Sequence, residues 1–309
     1  MIRHAPSIGL GLGLSLRGSG GVGFRGLLDQ YGGAAAAYSL RALSSGWLAG
    51  DVVEVRRSSD STTDSFTASQ ITSGELEAFC GAGDGFVSTW YDQSGNANDA
   101  TQATTTAQPK IVSAGALVTG GLDFDGVDDF MEIDMTGINS ATNLSTFNAI
   151  TPTAAAAADT NSMVSWSMGN FNNTRSLSLN SLTGSLSGEK ININFDSSTI
   201  GRLGSTTYSR TSSKKSLISS FNLSSGTSLF SQGAAVSLDL SFGMTTSTPS
   251  SPSDTGYITD DIVLIGAVRG NSPAAFVAEQ FQEVIFYSSD QSANRAEIEA
   301  NINAAYSIY

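Results

Sequence analysis

The stretch WYDQSGNANDATQ, Trp90 to Gln102, decides how this chain is read. It packs an aromatic pair, two acids, a set of amides and one glycine into a short segment. Two readings compete. In one, Trp90, Tyr91, Asp92, Asn96 and Asn98 form a loop that contacts a glycan, with Asp99 and its neighbours open to Ca²⁺ as well. In the other, a strand FVSTWY runs into a turn whose Asx side chains bond nearby backbone amides, with Gly95 supplying a positive φ. Such turn chemistry is the commoner use of these residue types.

Composition narrows the rest. Charged residues make up only 14% of the 309 residues, so Ser, Thr, Asn, Gln and Gly must cover most of the surface. That balance suits β-rich extracellular or virion proteins. The net charge of −13 argues against nucleic-acid binding and against attachment to anionic membranes. One cysteine, Cys80, and one histidine, His4, leave no intrachain disulfide and no Cys/His zinc site. A Ser-His-Asp triad would have to use His4, in an N-terminal segment with no core to hold it. Carboxylate chemistry is what survives.

Residues 1–26 alternate glycine with Ile8, Leu10, Leu12, Leu14 and Leu16, which reads as an extended arm with one apolar edge. The run is too short and too glycine-interrupted for a membrane span or a convincing signal peptide. Such an arm needs a partner surface, by strand addition or by trimer wrapping; the alternative reading is a disordered tail. Residues 27–309 read as one domain. Ala34–Leu43 is the best early helical stretch, and SSDQSANRAEIEANINAAYSIY is a C-terminal helix with Ser289 or Asp290 as cap and Ile298, Ile302 and Tyr306 on one face. GELEAFCGAG reads as a short helical turn. Between these lie many short strands, from DVVEVRRSS through KIVSAG, GLDFDG, DFMEIDM and LSTFNAI to DDIVLIGAV and EQFQEVIFY. Turns separate them, which argues for a β-sandwich. Residues 151–160 and 244–256 read as surface loops.

Several residues invite a functional reading beside a bland one. DFDGVDDF offers Asp123, Asp125, Asp128 and Asp129 as a calcium site, yet Asp125-Gly126 is also a hairpin turn and the spacing is not that of an EF-hand. No other cofactor is expected. Arg56 and Arg57 could hold an anionic sugar, or guard an edge strand against aggregation. Asp260 and Asp261 mark the start of a strand. Trp47, Trp90 and Trp166 are candidate sugar platforms, and buried core positions are the commoner fate.

AAAAYSLRAL, VVEVRRSSDSTTDSF, AFC and STWYDQSGNANDATQ together resemble the fungal α-L-arabinofuranosidase B catalytic domain over Ala34 to Pro109. LDFDGVDDFMEI and the closing segment from DDIVLIGAV resemble the wider laminin-G/concanavalin A-like group. With the Gly/Leu arm, the combination is similar to bacteriophage virion proteins called tail-fibre or lectin-like. The resemblance implies an all-β, concanavalin A-like β-sandwich (jelly roll) with a short N-terminal and a C-terminal helix. It does not carry the catalyst. The family's nucleophile is a glutamate after a vicinal cysteine pair, and the comparable stretch DTNSMVSWSMGNFNNTRSLSLNSLTGS has neither cysteine nor glutamate. At the position of the family's acid/base aspartate stand Ala267, Val268, Arg269 and Gly270.

The resulting expectation is a non-enzymatic phage virion component. It would be a head or tail fibre or a capsid decoration protein, joined to other virion proteins through its arm, as a homotrimer, and adhering to host-surface polysaccharide. The alternative is a glycoside hydrolase related to α-L-arabinofuranosidase with a rearranged carboxylate pair. A soluble bacterial lectin is a third reading, and it would call for a secretion signal.

Overall fold

The computed structural model describes residues 24–138, 141–153, 164–168, 177–181, 191–194, 202–203, 215–223, 226–235, 261–267, 273 and 276–309. The arm residues Ile8 to Leu16, His4, residues 154–160 and 244–256, Asp260 and residues 268–270 lie outside this set. In chain order the first elements are α1 (Leu27–Gln30), β1 (Ala36–Ser39), β2 (Asp51–Arg57), β3 (Thr63–Thr67), α2 (Ala68–Thr72), α3 (Glu75–Cys80) and β4 (Gly85–Trp90). Then come β5 (Ala100–Thr101), β6 (Lys110–Ser113), β7 (Ala116–Leu117), β8 (Leu122–Asp125), β9 (Met131–Asp134), β10 (Leu144–Pro152), β11 (Val164–Met168), β12 (Leu177–Ser181) and β13 (Ile191–Asn194). The chain closes with β14 (Arg202–Leu203), β15 (Ser216–Leu223), β16 (Gly226–Ser231), β17 (Ala234–Ala235), β18 (Ile262–Ile265), β19 (Ala278–Tyr287) and α4 (Arg295–Tyr306).

Among the described residues every strand pairing is antiparallel. One layer of the sandwich sets β10, β15, β16 and β17 in succession on one side of β19, with β8 and β1 end to end on its other side. The second layer runs β9, β18, β11, β12, β13 and β14. Strands β5, β4, β2, β3 and β6 join the two at one end.

Strand β19 holds the layers together because both of its faces are covered. Phe281, Val284 and Phe286 point into the core between the layers, where Met131, Ile133, Val263 and Ile265 meet them. Ile285 and Tyr287 point the other way, onto Leu27 of α1 and onto Ile298 and Ile302 of α4. The two-residue period of a strand converts the apolar run VIFY into these two separate contacts. A bulge between Ala149 and Ile150 of β10 resets the register along β19.

The expected helix over Ala34–Leu43 is a strand at its centre. Ala36 to Ser39 pair with Phe286 to Glu283, and all four residues are buried. Alanine is the strongest helix former, but intrinsic propensity is a weak prior, and here two-sided burial overrules it. Ala36 and Tyr38 face the inter-layer core, whereas Ala37 faces α4, where only a small side chain separates sheet from helix. The short N-terminal helix lies earlier, at α1.

At the C-terminus, Ile298 and Ile302 are buried as expected. Asp290 caps differently from expectation: its Oδ1 accepts from Ser292 N at 2.8 Å, starting a 3-10 turn over Ser292–Asn294 that leads into α4. Arg56 and Arg57 do not guard an edge, since β2 lies between β3 and β4. Arg56 reaches Gln108 and packs over Phe86, and Arg57 pairs with Asp60. Cys80 is buried at the end of α3, and burial pushes its thiol up to about 11.

Phe286, fully buried on the inter-layer face, should be among the costliest residues to truncate. Phe286→Ala is expected to lose about 3–5 kcal/mol in urea unfolding. A loss below about 1 kcal/mol would show that β19 does not organise the core.

Candidate functional site

The segment after β4 begins with Trp90, whose ring is fully buried and tilted against Tyr38. Tyr91 is half-buried, and its hydroxyl meets Ser65 Oγ at 3.1 Å. The chain then turns alongside β1, and its side chains stand where a neighbouring strand would stand. Asp92 Oδ1 accepts from Ala37 N at 2.8 Å, and Gln93 N donates to Ala37 O at 2.8 Å. Gln93 Oε1 accepts from Leu43 N, while its Nε2 donates to Ser39 O and Arg41 O. Asn96 Nδ2 donates to Ala34 O and Ala35 O, and Asn98 Nδ2 to Ala35 O at 2.8 Å. Backbone groups on the free edge of β1, which would otherwise be open to another strand, are thereby satisfied.

The loop is itself cross-braced. Asp92, 1% exposed, also accepts from Ser94 N and Ser94 Oγ and from Asn98 N. Asp99 Oδ1 accepts from Asp92 N, and Tyr38 OH donates to Asn98 O. Gly95 turns the chain at φ 92°, in the left-handed region. Of the five residues expected to contact a glycan, Trp90 and Asp92 are thus buried, and Asp92 is bonded within the fold. Asn96 and Asn98 reach solvent. Both line an open cleft of about 540 Å³, together with Ala34, Ala35, Thr136, Ile138 and Ser288. Among the described residues, nothing donates a hydrogen bond to their Oδ1 atoms.

The acidic hairpin between β8 and β9 brings together three of its four carboxylates. Carboxylate oxygens of Asp125, Asp128 and Asp129 lie within 4.8 Å of one another, and Asp123 stands outside this group. Asp125 Oδ1 accepts from Val127 N at 2.7 Å and Asp129 Oδ2 from Asp125 N at 3.0 Å, with Gly126 at φ 79° between them. Burial pushes the Asp129 carboxyl up to about 7, and the charges of Asp125, Asp128 and Asp123 add to the rise. Calcium takes roughly six to eight oxygens. Three carboxylates offer at most six of these oxygens, so an ion held here would also draw on carbonyl or water ligands.

Trp47 is partly buried, and its Nε1 donates to Asp51 O at 3.0 Å. Trp166 lies in β11 opposite Ile265. Three buried glutamates among the described residues, Glu279, Glu283 and Glu299, escaped the reading of the sequence. Glu283 of β19 is fully buried and receives Arg41 through two bonds, at 2.8 and 3.0 Å, with Ser39 and Tyr306 hydroxyls beside it. A charged residue inside the apolar run EQFQEVIFY was the available signal.

No protein-family model and no curated protein matches the chain. Solved structures do. A GH54 α-L-arabinofuranosidase soaked with a cyclic sulfate inhibitor superposes with a TM-score of 0.59 at 16% identity, over 88% of this chain and 63% of its own. An arabinofuranosidase complexed with arabinofuranosyl-α-1,2-xylobiose gives 0.58 at 15% identity, with the same coverage of 88% and 63%. A glutamate-to-glutamine mutant of a GH54 α-L-arabinofuranosidase, soaked with 4-nitrophenyl α-L-arabinofuranoside, also gives 0.58 at 15% identity. At this identity the likeness establishes the β-sandwich fold. It also corrects the expectation of a non-enzymatic phage fibre or decoration protein, because the scaffold found is that of glycoside hydrolases and favours the alternative reading.

Two outcomes check this geometry. Asp92→Ala strips the acceptor from Ala37 N, Ser94 N, Ser94 Oγ and Asn98 N. It should cost about 3 kcal/mol or more in chemical denaturation; a loss under about 1 kcal/mol would mean the loop does not hold β1. For Asp129, the raised folded pKa means the native state binds the proton more tightly than the unfolded chain. Its contribution is therefore full below about pH 4 and lost as pH rises through about 7. Urea unfolding across this range should show a loss on the order of 2–4 kcal/mol in the wild type that Asp129→Asn removes.

Proposed function

We propose that the chain is a glycoside hydrolase related to α-L-arabinofuranosidase, with its carboxylate pair rearranged. The observation that carries this reading is the Asp125–Asp128–Asp129 group. It sets a buried carboxyl pushed up to about 7 within 4.8 Å of more exposed carboxylates. Two carboxyl groups in unlike environments divide the work of glycoside hydrolysis. Asp129, protonated near neutral pH, donates its proton to the departing glycosidic oxygen. Asp128, half-exposed on the hairpin, meets the sugar's anomeric carbon as nucleophile. The retaining mechanism needs two carboxyl groups no more than about 5 Å apart, and the oxygens of this group lie within 4.8 Å of one another. Asp125 adds negative charge that stabilises the oxocarbenium-like transition state. The fold likeness supports the substrate class, and the 63% share of the enzymes' length leaves their full activity outside what this chain must reproduce.

A second reading is favoured by the cleft at Asn96 and Asn98: glycan binding without turnover. Two free amide oxygens on an open polar wall suit sugar hydroxyls.

Hydrolysis of 4-nitrophenyl α-L-arabinofuranoside separates the two. Turnover should fall by about 10²- to 10⁴-fold in Asp129→Asn, and in the wild type it should decline as Asp129 loses its proton above about pH 7. Absence of wild-type turnover on arabinofuranosides and arabinose-bearing polysaccharides, with binding retained, would replace the hydrolase reading by the binding one.

A further inference from the structure

The cleft lined by Asn96 and Asn98 lies at the end of the sandwich opposite the carboxylate group. Strand β19 sets Ala278 opposite Asp125 near its start and runs through Tyr287 to Ser288 at the cleft. Strand β9 follows the acidic turn and delivers Thr136 and Gly137 to the same cleft from its far end. At about 3.3 Å per residue, these strand lengths put on the order of 20–30 Å between the two places. A sugar ring seated in the cleft is therefore out of reach of Asp129.

We propose that the cleft is an accessory site for a neutral oligosaccharide, holding glycan at a distance from the carboxylates whether or not they cleave it. The proposal rests on the glycan-binding reading of this cleft and adds its ligand class and its independence. The lining selects that class. Asn96 and Asn98 each turn a carboxamide nitrogen to β1, which leaves two acceptor oxygens at the wall. Thr136 and Ser288 are exposed there, and their hydroxyls make no hydrogen bond among the described residues. A hydroxyl can give and receive, whereas an amide oxygen only receives, so this set suits a ligand rich in hydroxyl groups. No charged residue lines the cleft among the described residues, so an anion would meet acceptor lone pairs and no cation. A peptide strand finds no ladder to join, because side chains already satisfy the adjoining β1 edge. Gly33 and Gly137, at φ 80° and 85°, keep the floor clear: a Cβ at either would meet nothing within 4 Å. The volume of about 540 Å³ falls inside the roughly 300–1,000 Å³ of ligand pockets.

Titration of the full chain with xylotriose, cellotriose and arabinotriose, followed by amide NMR shifts, tests the proposal, with trigalacturonate as the anionic control. These readouts are separate from that of the hydrolase reading, which is turnover of 4-nitrophenyl α-L-arabinofuranoside. Saturable binding of at least one neutral trisaccharide, with shifts at Gly33 to Ala35 and at Thr136 to Ile138, supports the proposal. Ser288→Trp and Thr136→Trp each push an indole into the cleft from an exposed position, so affinity should fall about tenfold in both. The proposal is overturned by unsaturable binding, by shifts confined to Asp125 to Phe130, or by wild-type affinity in either tryptophan variant. Trigalacturonate binding as tightly as the neutral sugars overturns it equally.

Discussion

The free edge of β1 is the constraint around which the sandwich closes. An all-β layer must end somewhere, and an unpaired edge invites any passing strand. Here the edge is closed by side chains. Asp92 and Gln93 supply the acceptor and donors that another backbone would supply, and Asn96 and Asn98 continue the row. With that edge sealed, β1 can lie flat against β19 and bury Tyr38 and Ala37 on opposite faces. The loop gives rigidity by using a carboxylate in a place where a backbone carbonyl would do, and a charged acceptor is the stronger one.

This arrangement explains why the motif that looks most like an active site belongs to the frame. The residue types that bind sugars well are also those that imitate a strand well, because both tasks need paired donors and acceptors on short side chains. Asp92 and Gln93 are consumed by the first task. Asn96 and Asn98 do part of each, with their amide nitrogens turned to β1 and their oxygens left at the cleft wall.

The strand pattern was largely legible in the sequence. KIVSAG, GLDFDG, DFMEIDM, LSTFNAI and EQFQEVIFY all form strands, since β-branched and aromatic residues between turn residues leave little choice. Ala34–Leu43 misled because local propensity says nothing about which edge is waiting for a partner. The buried ion pair of Arg41 and Glu283 was also out of reach: the two residues meet only through the pairing of β1 with β19. Among the acids of DFDGVDDF, the sequence did not reveal which three converge. That depends on the tightness of the turn at Gly126. The functional class was the least legible, because the scaffold's likeness to glycoside hydrolases extends well past the Ala34 to Pro109 stretch that carries the sequence likeness.

The contact between Ser39 and Glu283 joins residues 244 positions apart. During synthesis the first strand therefore leaves the ribosome long before the strand that completes it. Closing so large a loop is entropically slow, and topologies dominated by such pairings fold late and cooperatively. Until β19 emerges, the apolar faces that it separates have nothing to rest against. The nascent chain is thus committed to waiting for its partner strand. The last strand made is the one that turns a string of hairpins into a protein.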